Sequence, residues 1–196
     1  MTPINLNAEN RILENQVNEM FVHRWSPRAM SGQALTLQHL TPLFEAARWA
    51  PSAFNEQPWQ FNYALRGDDH WSTLFDLLVE PNQAWAKHAG ALIVISSRST
   101  FSRNGNPSTT HAFDTGSASM GLALQARLNG LVAHGMAGFD YEGAKLQLHL
   151  TDTQEVLAMV AVGFPGEVEI LPEGFREKEI PSNRNALDLI AVNGPG

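Results

Sequence analysis

The run Arg24-Trp25-Ser26-Pro27-Arg28 sets two guanidinium groups around one hydroxyl. An Arg side chain is a planar fork that donates two parallel hydrogen bonds, which suits a phosphate. The 196-residue chain carries 13 Lys+Arg against 20 Asp+Glu, a formal charge of −7. A phosphate site must therefore be built from few, concentrated arginines. Arg24 and Arg28 form such a cluster and Arg184 is a candidate to complete it; a surface ion pair is the alternative for each. Asn82 offers an amide that both donates and accepts, or else caps a helix. Ala137 and Gly138 precede Asp140, a candidate helix start. Backbone N–H groups there carry the positive end of a helix dipole, and glycine permits close backbone approach. A plain strand-to-helix turn is the other reading.

Other chemistries lack their residues. There is no GxGxxG after a strand, no GxxxxGK[ST], no GxSxG and no HExxH. With no cysteine, disulfides, thiolate metal sites, iron–sulfur clusters and a cysteine nucleophile are excluded. The seven histidines are scattered at 23, 39, 70, 88, 111, 134 and 149 and read as structural or surface groups, so no metal site is expected. A chain with so little catalytic machinery borrows its chemistry from a cofactor. Its negative charge, without a Lys/Arg block, argues against nucleic acid. No apolar run approaches the roughly 20 residues of a membrane span, and the polar start lacks the pattern of a secretory signal; a cytoplasmic protein is expected. The hydrophobic share of 43% implies one sizeable core. The charged share of 17% is low enough that part of the surface reads as a subunit interface.

These residues need elements to position them. Ile12, Leu13, Val17, Met20 and Phe21 predict a helix over 10–23, interrupted by Ser26-Pro27. A second helix ends before Pro51. Thr36 is one candidate cap, but Pro42 sits comfortably only in a first turn, which favours a start near Thr41. Strands are predicted at 59–66, 91–96, 132–136 and 156–163, and a helix at 70–79. A long helix over 114–128 carries Gly116, Ser117, Ala118, Gly121 and Ala123, so another helix can approach it closely. Asp140 caps a short helix to 148. Residues 101–110 form a turn-rich loop, a candidate lid. The tail, 172–185, is irregular and charged, with an apolar run at 186–192. No repeat or linker divides residues 1–196, which read as a single α+β domain rather than a βαβ array.

Taken in order, the Arg24–Arg28 run, Ala50-Pro51-Ser52-Ala53-Phe54-Asn55-Glu56-Gln57-Pro58-Trp59, Asn82 ahead of Trp85-Ala86-Lys87-His88-Ala89, and Gly135-Met136-Ala137-Gly138-Phe139-Asp140 resemble the nitroreductase family of FMN-dependent oxidoreductases. The Pro51–Trp59 stretch is the most specific part and Arg-x-Ser-x-Arg the second; the likeness runs from about 23 to 184 and includes VAVGFPG at 160–166. The resemblance implies a nitroreductase-like fold: a central, mainly antiparallel sheet surrounded by helices, in an intertwined homodimer. FMN would lie at the subunit interface, and the segment from about 172 to 196 would extend over the partner. It implies Arg24 and Arg184 as phosphate ligands, with Trp25 and Ser26 at that end. Arg28 would be the cation near the flavin pyrimidine oxygen, where negative charge gathers on reduction, and Asn82 would meet the pyrimidine edge. Pro51, Ser52, Ala53, Asn55 and Gln57 would pack on the flavin from the other subunit. The Ala137 N–H would reach flavin N5, with Gly138 beside it.

The family often places a second basic residue three positions after this Asn; here it is Trp85, which leaves the flavin potential and substrate range open. Trp49, Phe54, Trp59 and Phe139 read as core or interface, with Phe54 the best candidate for a substrate contact. The implied reaction is ping-pong: NAD(P)H reduces the flavin, and a small electron-poor acceptor such as a nitroaromatic or quinone is then reduced. Oxidation, dehalogenation or flavin modification on the same fold, and a non-catalytic flavin-binding protein, are the alternatives.

Overall fold

The computed structural model describes residues 6 and 8–194. Four strands form one antiparallel sheet: β1 (Trp59–Leu65), β2 (Ala91–Arg98), β3 (Val132–Met136) and β4 (Gln154–Gly163), in the order β1-β2-β4-β3. Strand β2, rich in β-branched residues, is buried along nearly its whole length, as the centre of a sheet covered on both faces must be. Alternate residues point to opposite faces, so the sheet separates two cores. Leu92, Val94, Met159 and Ala161 pack with Trp25, Met30, Leu78, Trp85 and Phe139. Ile93, Ile95, Val160 and Val162 pack with Leu40, Leu43, Ala118 and Leu122. The α+β architecture with a mainly antiparallel sheet is thus the one the sequence predicts.

Among the described residues seven α-helices accompany the sheet: α1 (Glu19–His23), α2 (Leu37–Arg48), α3 (Trp71–Phe75), α4 (Glu80–Ala86), α5 (His111–Leu128), α6 (Tyr141–Gln147) and α7 (Glu173–Arg176). Among the described residues no helix is long and apolar enough to cross a membrane. Several predicted boundaries are corrected. The helix expected over 10–23 is reduced to its last turn, because side chains and amides of 10–12 are bonded instead to the distant tail. Helix α2 starts at Leu37, not near Thr41. The Thr36 N–H donates to His39 Nδ1 at 3.0 Å, and Leu40, Leu43 and Ala47 bury one face. Together these offset the bond lost at Pro42. The helix expected at 70–79 is confined to α3. Asn82 lies inside α4, after an N-cap at Val79, so it is not a cap.

Helices α2 and α5 pack closely where their side chains are smallest. A Cβ at Gly121 would stand 2.9 Å from the Ala46 carbonyl oxygen, whereas one at Gly116 would meet nothing within 4 Å. Gly121→Ala should therefore lower the unfolding free energy by about 1–3 kcal/mol, despite alanine's better helix propensity. Gly116→Ala should be neutral or slightly stabilising. Denaturant melts of the two variants check this, and equal midpoints would refute the close contact.

Candidate functional site

Pro27 prevents the segment that follows α1 from continuing as helix, and the chain turns under the edge of the sheet. There Arg24, Trp25, Ser26 and Arg28 line a cleft of about 290 Å³, which they share with Arg11, His134, Lys178, Ile180, Ser182 and Arg184. The structure thus brings Arg184 to the Arg24–Arg28 cluster across the whole length of the sequence. Arg24 Nη1 lies 3.4 Å from Ser26 Oγ, a long contact, while its buried Nε has no partner. No carboxylate among the described residues forms an ion pair with Arg11, Arg24 or Arg184. Burial, then the neighbouring Arg184, holds both Arg11 and Arg24 below the usual guanidinium range. A cleft of unneutralised guanidinium forks is suited to a multivalent oxyanion.

The turn itself is held from two directions. From the tail, the buried carboxylate Oε1 of Glu179 accepts from the backbone N–H of Arg28 at 2.5 Å and of Ala29 at 2.7 Å. Burial raises its pKa, against those two hydrogen bonds and the charge of Arg28. Arg28 Nη1 lies 3.9 Å from Glu179 Oε2, and its guanidinium lies over the Phe175 ring. From β3, His134 Nδ1 stands 2.7 Å from the Ser26 carbonyl and 3.2 Å from that of Pro27. Carbonyls only accept, so Nδ1 carries the proton. Burial, helped by the Arg28 charge, pushes the His134 pKa down to about 4, which keeps the ring neutral at pH 7. Arg11, Lys178, Glu179 and His134 were not singled out from sequence. Each works through main-chain bonds or long-range proximity, which leave no spacing to read.

Beyond His134, β3 ends at Met136 and is followed by Ala137 and Gly138. Ala137 is exposed. Gly138 O accepts from Val79 N at 3.1 Å and from Asn82 Nδ2 at 2.9 Å, so Asn82 and Gly138 are adjacent. A Cβ at position 138 would stand 2.8 Å from that Nδ2, which explains the glycine. The Asp140 carboxylate caps α6, accepting from Gly143 N at 2.9 Å, and sets a negative charge at that terminus. Trp85 is fully buried, its ring 4.7 Å from that of His134.

Residues 51–57 form a separate, rigid loop. Phe54, Asn55 and Gln57 are left-handed, with φ of 55°, 58° and 49°, at a cost on the order of 1 kcal/mol each. The surroundings offset this. Ala53 N donates to the buried Asp114 carboxylate at 3.0 Å and Gln57 N to Ser52 Oγ at 3.0 Å. Glu56 is paired with Arg98 and accepts from Ser102 N at 2.8 Å. The exposed Phe54 ring meets Phe101 edge-on, with Arg103 stacked over it at 4.3 Å. Trp49 is exposed as well, while Phe139 is buried.

One chain does not bring this loop to the cleft. Trp59, which follows the loop, pairs with Ser97 and through it lies level with Glu155; His134, at the cleft, pairs with Ala161. That is three strand spacings across the sheet and six residues along it, ~14 Å by ~20 Å.

The family model described as "Nitroreductase family" matches residues 22–70. A crystal structure described as the oxidoreductase containing FMN is 43% identical, with 96% of this chain and 97% of that chain covered and a TM-score of 0.92. A protein from Parabacteroides distasonis, assigned as an NADH dehydrogenase/NAD(P)H nitroreductase, is 26% identical over 92% of this chain and 99% of its own, with a TM-score of 0.70. An uncharacterized 15.4 kDa protein of Mycolicibacterium smegmatis is 32% identical over 65% of this chain and 84% of its own length. The chain belongs to the nitroreductase family.

The depressed pKa of His134 fixes the sign of a pH effect. The fold favours the neutral ring, so its contribution is complete above the unfolded value near 6.5 and is lost as pH falls toward 4. Between those limits the wild type should lose up to about 3 kcal/mol more stability than His134→Gln, which keeps a donor but does not titrate. Urea melts at both pH values measure the difference; parallel losses would refute the assignment.

Proposed function

We propose that the protein is an FMN-dependent oxidoreductase that uses NAD(P)H to reduce an electron-poor acceptor such as a nitroaromatic or quinone. The observation that carries this reading is the cleft in which Arg24, Ser26, Arg28 and Arg184 converge, with no carboxylate among the described residues pairing Arg24 or Arg184. The relative of 43% identity, an FMN-containing oxidoreductase, supports it.

The residues present fit the cofactor. The buried, unpartnered Nε of Arg24 awaits an acceptor, which a phosphate provides. Asn82 spends its Nδ2 on Gly138 O, which leaves Oδ1 to accept from a ring N–H. The glycine at 138, where a Cβ would press on Asn82 and Val79, lets the Asn82 amide keep this position. Bound FMN would supply the redox step, carrying two electrons as hydride from NAD(P)H to the acceptor. The protein's part is binding and tuning. Arg24 and Arg184 neutralise the phosphate, with Trp25 and Ser26 at that end. Arg28, kept in place by Glu179, counters the negative charge that gathers at the pyrimidine edge on reduction. Trp85 adds no second charge there. The exposed Ala137 N–H serves as the donor toward N5. No side chain is assigned as general acid, and protons come from solvent.

The second half of the site comes from a second copy of the chain. The separation between the cleft and residues 51–57 supports this: Pro51, Ser52, Ala53, Asn55 and Gln57 cannot reach a ligand in their own protomer's cleft. Exposed apolar side chains supply a surface to cover, among them Ile12, Trp49, Phe113 and, in the tail, Leu189 and Ile190. Large apolar side chains left exposed in this number are the raw material of an interface. The tail from about 172 would extend over the partner.

Two measurements test the reading. The purified protein should show a flavin visible spectrum that bleaches on anaerobic NADPH or NADH and returns on adding a quinone. A colourless protein that refuses added FMN would refute it, and a spectrum that persists with both nucleotides would refute the reductase assignment alone. The mass in solution should be that of two chains with two FMN; a monomer retaining stoichiometric FMN would refute the shared site.

A further inference from the structure

Residues 10–14 and 181–187 lie at opposite ends of the chain and are laced together. Asn10 Nδ2 donates to Pro181 O at 2.8 Å, Ile12 N to Asn183 Oδ1 at 2.9 Å and Leu187 N to Glu14 Oε2 at 3.3 Å. Arg11 stands at the centre of this junction. Its Nε donates to Ser182 O at 3.0 Å, the carbonyl that also accepts from Arg184 Nη1 at 3.2 Å. Its Nη1 donates to Val22 O and, at 3.0 Å, to Arg24 O. Three of the five N–H groups of a guanidinium are thereby spent on main-chain carbonyls, and the two on Nη2 lie outside these bonds. The carbonyls belong to the two segments that carry Arg24 and Arg184. One side chain therefore sets the separation of the other two arginines.

The arrangement is costly without a counter-charge. Arg11, Arg24 and Arg184 share one cleft lining, and each remains charged at neutral pH. A neutral amide has only two N–H donors for these three carbonyls, so the bonds account for the guanidinium fork but leave three like charges crowded in one cleft. An anion that the three share would offset that crowding. Arg11 and Arg184 sit on the two laced segments, so the anion would pull the chain ends together.

We propose that Arg11 is the third arginine of the phosphate site and the positioning residue that clasps Arg24 to Arg184, so that a phosphate-bearing ligand tightens the junction of the two chain ends. The ligand's identity as FMN rests on the function proposed above, whereas the clasp requires only a phosphate.

The test compares wild type, Arg11→Ala and Arg11→Lys as flavin-free protein, titrated with FMN, riboflavin and inorganic phosphate. Hydrogen exchange of residues 10–14 and 181–187 is followed in each titration. Arg11→Ala should weaken FMN about ten- to hundredfold and riboflavin less than about threefold. Arg11→Lys, which keeps the charge but not the fork, should recover part of the loss. In the wild type FMN should slow exchange in both segments and riboflavin should not. Equal FMN affinity in Arg11→Ala and wild type overturns the proposal, as do equal losses for FMN and riboflavin. If Arg11→Ala does not fold, Arg11→Lys decides, and an unchanged preference for FMN over riboflavin overturns it. A wild type that binds neither flavin defeats the flavin reading instead. Inorganic phosphate then decides the clasp: slowed exchange in wild type but not in Arg11→Ala supports it, and no slowing in either overturns it.

Discussion

Proline has no N–H to donate, and the turn at residues 24–29 takes its main-chain hydrogen bonds from distant parts of the chain. The polar groups of the turn are buried or partly buried, and each left unpaired would cost about 1–3 kcal/mol. The fold answers from three distant places. His134 in β3 serves the Ser26 and Pro27 carbonyls, Glu179 in the tail serves the Arg28 and Ala29 amides, and Arg11 serves the Arg24 carbonyl. The positions of Arg24, Ser26 and Arg28 follow from these bonds. The neutral state of His134 follows as well, because a protonated ring would be desolvated beside Arg28.

The sheet supplies the distances. Its short edge strand, β3, carries His134 at the cleft and ends two residues before Gly138, which meets Asn82, so one strand aligns the arginine cluster with the Asn82–Gly138 pair. The opposite edge strand, β1, follows the rigid loop at 51–57. That loop owes its shape to Asp114 and Glu56, neither of which approaches the cleft. The two regions most specific in sequence therefore lie on opposite edges of one sheet and are built independently.

The parts of the fold legible in the sequence are those governed by local pattern. Strand β1 follows from alternation, β2 and β4 from short apolar runs, and the α6 boundary from Asp140. The arginine cluster is legible because its residues lie within five positions. The failures are non-local or reciprocal. Residues 10–18 have helical spacing, but the bonds of Asn10, Arg11 and Ile12 to the tail outweigh it. At α2, pairing of His39 with Thr36 and the buried leucines overrule the positional preference of Pro42. Asp140 caps α6 as its type and place predict. Arg11, Glu179 and His134 act on main-chain groups, which any residue type presents, so no motif marks them.

The separate construction of the loop at 51–57 bears on inheritance. In the proposed two-copy assembly, a chain shapes this loop for its partner's cleft and keeps its arginines for its own. A lesion at Asp114 and a lesion at Arg24 would then strike different halves of different sites. Two alleles carrying one lesion each, expressed together, would assemble mixed pairs in which one site draws both of its halves from sound segments. Such alleles would complement each other, as defects in a self-contained pocket cannot.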